Sequence, residues 1–415
     1  MVLDRSLIRY ARSGVRHRGR FSPRRNREIT REECMDFRLS PEQERLRQAV
    51  RDFLAAECSP HYANELDAKA EWPIDLYRKI AQRGWVGYAY PREYGGDGGG
   101  IVDLTIVQEE LAYVSFSLGM GWAQSAIFGG GAILFYGDDD QKGRFLPKLS
   151  SGETIFCFAL TEPNAGSDAG SMQTTAVDQG DHFLLNGSKI FISGANIADY
   201  AVTFARTDKS LPKHKGLTAF IVDLRAPGVT VRPLRKMGTW PIHSCEIFFK
   251  NLQVPKENTL GGLNKGWTNL LRSLDLERII GCGAQCVGAS RRVVDDAITY
   301  AKELHYGGQP LIKQQSVAHA LVDMEAEVEA LRIQVYRAAW MLENNIPCSR
   351  EASIAKVASS EAIARLSNMG MQILGPYGYF SDWDEERQYR DSRMVSIGGG
   401  SSQIQRNIIA GSIGL

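Results

Sequence analysis

The hydrophobic residues of this chain change period twice, and that double switch limits its fold more than any other feature. Between 153 and 260 they fall in short β-branched or aromatic runs, at 155–160, 182–185, 201–205, 217–222 and 246–249, bounded by Gly, Asn and Asp. Asn186-Gly187, after the second run, is a hairpin-turn signal. On both sides the spacing is helical: 74–84, 103–116, 118–135 and 139–149 before, then 266–304, 313–344, 350–375 and 402–413 after. Ser40-Pro41-Glu42-Gln43 is a capping box with proline at the first helical position, and Leu46, Val50, Phe53 and Leu54 then mark one buried face. The expected architecture is a β barrel or sandwich set between two helical regions, the second an antiparallel bundle.

Composition mainly excludes. With 415 residues, 43% hydrophobic and 23% charged, the chain can fill two or three cores. A net charge of +1 gives no field that favours nucleic acid. No apolar run reaches the ~18 residues of a membrane span. Neither the P-loop pattern nor GxGxxG after a strand is present. The seven cysteines and seven histidines show no zinc spacing, and scattered, odd-numbered cysteines fit a reduced, intracellular setting. The head is different: residues 1–34 hold ten arginines, and 5–27 hold no acid. A mitochondrial transit peptide has that character, but with more Ser and Thr. The preferred expectation is an extension upstream of Met35, disordered in either case. The expected location is then the bacterial cytoplasm, or the mitochondrial matrix if the head is a transit peptide.

One carboxylate is out of place. In the proline-free run 266–304, the helical neighbours of Glu277 are Leu270, Ser273, Leu274, Ile280, Gly281, Ala284 and Gly288. Burying a carboxylate there is costly unless it is paired or its pKa rises. A raised pKa is what a general base needs near neutral pH. A structural ion pair with an arginine, Arg278 or one from another helix, satisfies the same pattern.

Three polar stretches interrupt the apolar pattern. Residues 161–168 follow a strand with hydroxyls, amides and small residues suited to a heterocycle or a phosphate-bearing ligand. Residues 190–195 end another strand with Phe191 and Ser193. Read alone, each is more often a turn than a site. Gly398-Gly399-Gly400 before a Ser-initiated helix leaves backbone N–H groups open to an anion.

Four longer motifs are more specific. They are Ala159-Leu160-Thr161-Glu162-Pro163-Asn164-Ala165-Gly166-Ser167-Asp168, Leu185-Asn186-Gly187-Ser188-Lys189-Ile190-Phe191-Ile192-Ser193, Asn251-Leu252-Gln253-Val254-Pro255-Lys256-Glu257-Asn258 and Gly400-Ser401-Ser402-Gln403-Ile404-Gln405-Arg406. Through them the chain resembles the acyl-CoA dehydrogenase family across 35–415. The resemblance implies an N-terminal all-α domain (35–152), a middle β-barrel domain (153–264) and a C-terminal four-helix bundle (265–415), after the disordered 1–34. It implies FAD between them, in a homotetramer built as a dimer of dimers. By the same resemblance Leu160 and Thr161 meet the flavin ring, Ser193 lies near N5, and Phe191 stands where relatives often place tryptophan. Ser401 and Gln403 face FAD, while Gln315, Gln372 and Gly375 reach its adenine end in the neighbouring subunit. Ser167 touches the CoA part of the substrate, with Asp275, Arg278 and Gly399 also assigned to substrate binding.

Many relatives carry their catalytic glutamate immediately before the Gly-Thr of the last motif, where this chain has Gly399. A minority, isovaleryl-CoA and long-chain acyl-CoA dehydrogenases among them, carry it on the first long helix of the bundle, in a pattern like Leu274-Asp275-Leu276-Glu277-Arg278. The resemblance therefore implies that Glu277 takes the α-proton of an acyl-CoA while the β-hydride passes to flavin N5. The product is a trans-2-enoyl-CoA, with an electron-transferring flavoprotein as electron acceptor. A flavin ribityl hydroxyl and the Gly399 N–H would hold the thioester oxygen, an effect of roughly 3–4 kcal/mol per donor. The chain departs from the family in three places. Residues 304–308 replace an Arg-x-Gln-Phe-Gly run at the FAD pyrophosphate, so the expectation is either weaker FAD binding or another cation, such as His305, in the arginine's place. Trp240 replaces a common arginine. Gly398 and Gly399 remove two side chains beside the reacting carbons, so the expected substrate is branched or bulky. The alternatives are an enoyl-CoA reductase, an acyl-CoA oxidase and a catalytically silent scaffold.

Overall fold

The computed structural model describes residues 38–415. The Arg-rich head lies outside them. Helix α1 (Pro41–Glu57) starts at the proline and buries Leu46, Val50, Phe53 and Leu54 as the pattern requires. Helix α2 (Pro60–Lys69) has no marked apolar period, but it has a cap: Ser59 Oγ accepts from the Tyr62 N–H at 3.2 Å. Helices α3 (Ile74–Gln82), α4 (Ile101–Val114), α5 (Phe116–Ala123), α6 (Gly130–Tyr136) and α7 (Asp139–Ser150) complete the first region.

A π-helical stretch, Gln124–Gly129, joins α5 to α6, so 116–136 is one continuous rod. Phe116–Tyr136 is long and apolar enough by composition to cross a membrane, but 83% of its most apolar window is buried inside the protein. Its glycines serve that packing: a Cβ on Gly129 would collide with Phe156, and one on Gly130 with Tyr90.

The middle region is one eight-stranded sheet: β1 (Phe156–Ala159), β2 (Thr175–Asp178), β3 (His182–Ser193), β4 (Tyr200–Arg206), β5 (Leu217–Asp223), β6 (Val229–Leu234), β7 (Ser244–Pro255) and β8 (Thr259–Leu260). The order is β6-β7-β3-β2-β4-β5-β8, with β1 parallel to β4. Among the described residues no pairing joins β6 to β8, so hydrogen bonds leave the barrel open there. Asn186-Gly187 is not the expected hairpin turn. It lies inside β3, where the register against β7 shifts between Leu185 and Gly187. A Cβ on Gly187 would lie 2.5 Å from Thr174 Oγ1. The turn falls before β3 instead, closed by Gln179 N–H donating to His182 O at 2.9 Å. One core joins this sheet to the first region: Ile133, Phe145, Leu146 and Leu149 pack with Phe156, Val202 and Ile221, and Leu160 and Leu274 lean on the same cluster.

The run 266–304 is helical throughout but not uniform. It comprises α8 (Gly266–Leu276), a second π-helical stretch at Glu277–Ala284, and α9 (Gln285–Glu303). Helices α10 (Gln315–Glu343) and α11 (Ser349–Leu374) pack with α9, and α12 (Asp384–Ser392) and α13 (Ser402–Ser412) lie on α11. The first region seats on this bundle along α4. There Glu109, fully buried, accepts from Arg291 at 2.5 Å and from Tyr336 Oη at 2.7 Å. Gly288 allows that approach, since a Cβ would collide with Glu109 O and lie 2.9 Å from Glu109 C. We expect Gly288→Ala to force α4 and α9 apart at a cost of about 1–3 kcal/mol. A lowered melting temperature in thermal unfolding checks this, and an unchanged one contradicts it.

Candidate active site

Strands β1 and β3 bring the flavin-motif residues together. Thr161 O accepts from Ile190 N–H at 2.9 Å, setting Leu160-Thr161-Glu162 beside the end of β3. A buried ion pair locks this junction: Lys189 Nζ donates to Glu162 Oε1 at 2.8 Å and to Leu160 O at 3.0 Å. Glu162 also accepts from the backbone N–H groups of Gln173 and Thr174. Burial pushes the Glu162 pKa up, but the Lys189 charge and these hydrogen bonds outweigh it and hold the group ionised. Burial lowers Lys189 to about 8 against the pull of Glu162. Beyond the pair, Phe191 is 65% exposed and has φ 62°. Positive φ is strained for a bulky residue, and such strain clusters at ligand sites. Ser193 follows, half-buried and paired with Ser244. Ser167 is exposed in the loop after β1, beside Asp168, which accepts from Lys213 at 2.8 Å.

Glu277 opens the second π-helical stretch, a device found often at functional sites. Arg278 does not pair with Glu277; its Nη1 donates to Asp275 Oδ1 at 2.7 Å and to Ser349 Oγ at 3.3 Å. Glu277 as a whole residue is half-buried. Surrounding protein still desolvates it, and desolvation raises its pKa to about 7, opposed by the charges of Arg278 and Lys356. Gly399 faces it: a Cβ there would lie 3.3 Å from Glu277 Oε1 and 2.7 Å from Cys282 Sγ. Gly399 has φ 65°, and the chain then enters α13, which Ser401 Oγ caps by accepting from Ile404 N–H at 3.3 Å.

Phe128 connects the two clusters. Its ring lies 5.6 Å from that of Phe158 on β1, and its tip is 3.1 Å from where a Gly281 Cβ would be, one turn beyond Glu277. Phe128 therefore spans from the flavin-motif strand to the helical turn that carries Glu277, which the Gly399 loop faces. Lys189, Lys356, Phe128 and Gln405 shape these elements, and none was a candidate from the sequence. A lysine inside a strand pattern was the available signal for Lys189.

The remaining candidates lie elsewhere. Gln403 is exposed on α13, Gln315 at the start of α10, and Gln372 at the far end of α11. Gln372 is sixteen residues beyond Lys356, about 24 Å along the helix. Gly375 follows it with φ 60°. The altered run at 304–308 is a β-hairpin in which His305 pairs antiparallel with Pro310, and the His305 Nδ1 contacts Glu303 O at 3.0 Å. Trp240 has a packing role, with the Arg390 guanidinium 3.9 Å above its ring. A cavity of about 530 Å³ lies between the first region and the sheet, lined by Trp72, Arg78, Asp199, Arg225 and His243 among others, and it includes none of the candidate residues.

Three family models match in order: acyl-CoA dehydrogenase N-terminal domain over 40–153, middle domain over 157–252 and C-terminal domain over 264–414. The chain belongs to the acyl-CoA dehydrogenase family. It is 38% identical to subunit CarC of the Caffeyl-CoA reductase-Etf complex of Acetobacterium woodii, covering 90% of this chain and 99% of that one. It is 36% identical to the short-chain specific acyl-CoA dehydrogenase of Clostridium acetobutylicum, covering 91% and 100%. Among solved structures, butyryl-CoA dehydrogenase from Megasphaera elsdenii superposes with a TM-score of 0.89 at 34% identity, covering 92% and 100%. An acyl-CoA dehydrogenase is an oxidoreductase acting on CH–CH bonds, and its cofactor is FAD. The residues present fit that group. An exposed, strained Phe191 beside Thr161 offers a ring face, and the two positive-φ glycines before the α13 N-terminus leave backbone donors open to polar ligand atoms.

Proposed function

We propose that this protein dehydrogenates an acyl-CoA at its α,β-bond to the trans-2-enoyl-CoA, with Glu277 as the base. The observation that carries this reading is a carboxylate that Arg278 leaves for Asp275, that forms no ion pair among the described residues, faces Gly399 and is raised to about 7. FAD, when bound, supplies the acceptor for the β-hydride. Leu160, Thr161, Phe191 and Ser193 hold its ring, with Ser401 and Gln403 nearby, and Gln315, Gln372 and Gly375 serve the FAD of a neighbouring chain in a homotetramer. The Gly399 N–H donates to the thioester oxygen, which stabilises the charge that forms as the α-proton leaves. Glu277 accepts that proton. Arg278 and Asp275, bound to each other and to Ser349, fix the turn that carries the base. Ser167 contacts the CoA moiety from its exposed loop. An electron-transferring flavoprotein takes the electrons away.

The glycines at 398 and 399 do not by themselves widen the acyl site. The volume of a side chain at Gly399 is already taken by Cys282 Sγ and Glu277, and at Gly398 Met394 Sδ stands 3.1 Å away. A branched or bulky acyl group must find its space elsewhere, so substrate choice is left to experiment. Anaerobic addition of straight, branched, aromatic and dicarboxylic acyl-CoAs to the yellow holo-protein tests the function: bleaching by at least one supports it, and bleaching by none contradicts it. The name of the Acetobacterium woodii relative favours a second reading, in which the same site runs as an enoyl-CoA reductase. Reoxidation of the reduced protein by an enoyl-CoA faster than by an electron-transferring flavoprotein would select it.

The pH dependence has a definite sign. Glu277 works as the carboxylate, so flavin reduction is slow below its pKa, rises through about pH 7 and levels off above. Stopped-flow rates at saturating acyl-CoA across pH 5.5–8.5, a window of about 1.5 units either side of 7, measure this. A flat profile contradicts the assignment.

A further inference from the structure

We propose that Lys356 is a positioning residue for this reaction, clamping the loop on both sides of Gly399 and holding it against the Glu277 carboxylate. The proposal rests on the reading of Glu277 as base given above. Lys356 lies on α11 and is fully buried. Its ammonium donates to Val395 O at 2.7 Å and to Gly400 O at 2.7 Å. These carbonyls bracket Gly399. The Lys356 stem reaches the glycine itself, with Cε 3.8 Å from a Cβ built there. Among the described residues no carboxylate forms an ion pair with it.

A buried ammonium held only by neutral carbonyls is an expensive way to fasten a loop, because a neutral donor makes such bonds without the cost of burying a charge. The protein has such a donor at the same place: Gln405 Nε2 reaches Gly399 O at 3.0 Å and Gly400 O at 3.2 Å. The charge of Lys356 therefore needs a further reason, and Glu277 supplies it. Lys356 and Arg278 are the two cations whose charges favour the ionised base, and the Cys282 thiol is the other titratable group beside it. Arg278 is already engaged by Asp275. Lys356 is thus the cation left to limit the rise that burial imposes on the base. From α11 its ammonium fastens the same loop whose Gly399 N–H would donate to the thioester oxygen, so the geometry of the donor and the proton affinity of the base are set by one side chain.

Three variants of the FAD-loaded protein separate these roles. Lys356→Gln removes the charge, and the pH midpoint of flavin reduction is expected to rise by about one unit or more. Its plateau rate is expected to fall at least ~10-fold, with substrate affinity changed less than rate. Lys356→Arg keeps the charge, but its longer, planar guanidinium presents its donors in a different geometry from the ammonium held between the two carbonyls, so the midpoint is expected to stay and the plateau to fall. Gln405→Leu loosens the loop without touching the charge, so the plateau falls and the midpoint stays. Difference infrared titration of the Glu277 carboxyl, with Glu277→Gln as reference, reads the same midpoint without turnover. A wild-type midpoint and plateau in Lys356→Gln overturn the proposal. Should that variant fail to fold, Lys356→Arg with an unchanged plateau overturns it equally. If no acyl-CoA bleaches even the wild type, the base reading fails, while the infrared midpoint still reports whether Lys356 acts on Glu277.

Discussion

Glu277→Gln is expected to keep its fold and its FAD and to slow flavin reduction by acyl-CoA at least ~10²-fold, within the span of about 10²–10⁴ that a positioned base contributes. The amide has the shape of the carboxyl group and cannot accept the α-proton. Among the described residues no ion pair is lost, because Arg278 is bound to Asp275 instead. The substitution also removes a carboxylate that burial disfavours, so the melting temperature should hold or rise. Anaerobic stopped-flow measures the rate, and the flavin spectrum shows whether the cofactor remains. A variant that reduces its flavin at near wild-type rate would mean that some other group takes the proton.

Lys189→Met should be the most damaging single change away from the base. It leaves Glu162, only 5% exposed, without its cation, and Leu160 O without a donor. Removing one partner of a buried ion pair typically costs about 3–5 kcal/mol. The loss falls on the junction that presents Leu160 and Thr161, so FAD retention should drop along with the melting temperature. The flavin-to-protein ratio after gel filtration and a thermal melt test both. An unchanged melting temperature with full flavin content would show that the pair is dispensable. Glu162→Gln should also be costly, since the Gln173 and Thr174 N–H groups use different carboxylate oxygens, so the amide NH2 leaves one of them without an acceptor while Lys189 loses its counter-charge.

Much of this architecture was legible because the helices and strands differ in period. The long helices of both flanking regions end within a few residues of the expected positions, and the buried face of α1 is the predicted one. The misses have physical causes. α2 and α12 are short and carry polar or charged residues, so no apolar stripe marks them. Asn186-Gly187 reads as a turn because a bulge needs the same small residue as a hairpin does. The π-helical stretches are invisible to counting by three and four, because they shift the phase of a helix without changing its residue types. That shift matters at the site, since Glu277 stands at the start of one. Glu277 itself was visible as a carboxylate among apolar neighbours, but its pairing was not: only the structure shows Arg278 turned to Asp275. Lys356 looked like any lysine on a helix until the Gly399 loop folded over it.

The central claim is that Glu277 takes the α-proton, and hydrogen exchange at that carbon tests it without relying on later electron transfer. Holo-protein and acyl-CoA are incubated anaerobically in deuterated buffer, and recovered acyl-CoA is examined for deuterium at the α-position. Wild-type protein should wash deuterium into that position, and Glu277→Gln, binding the same ligand, should not. Exchange at the wild-type rate in Glu277→Gln would contradict the account.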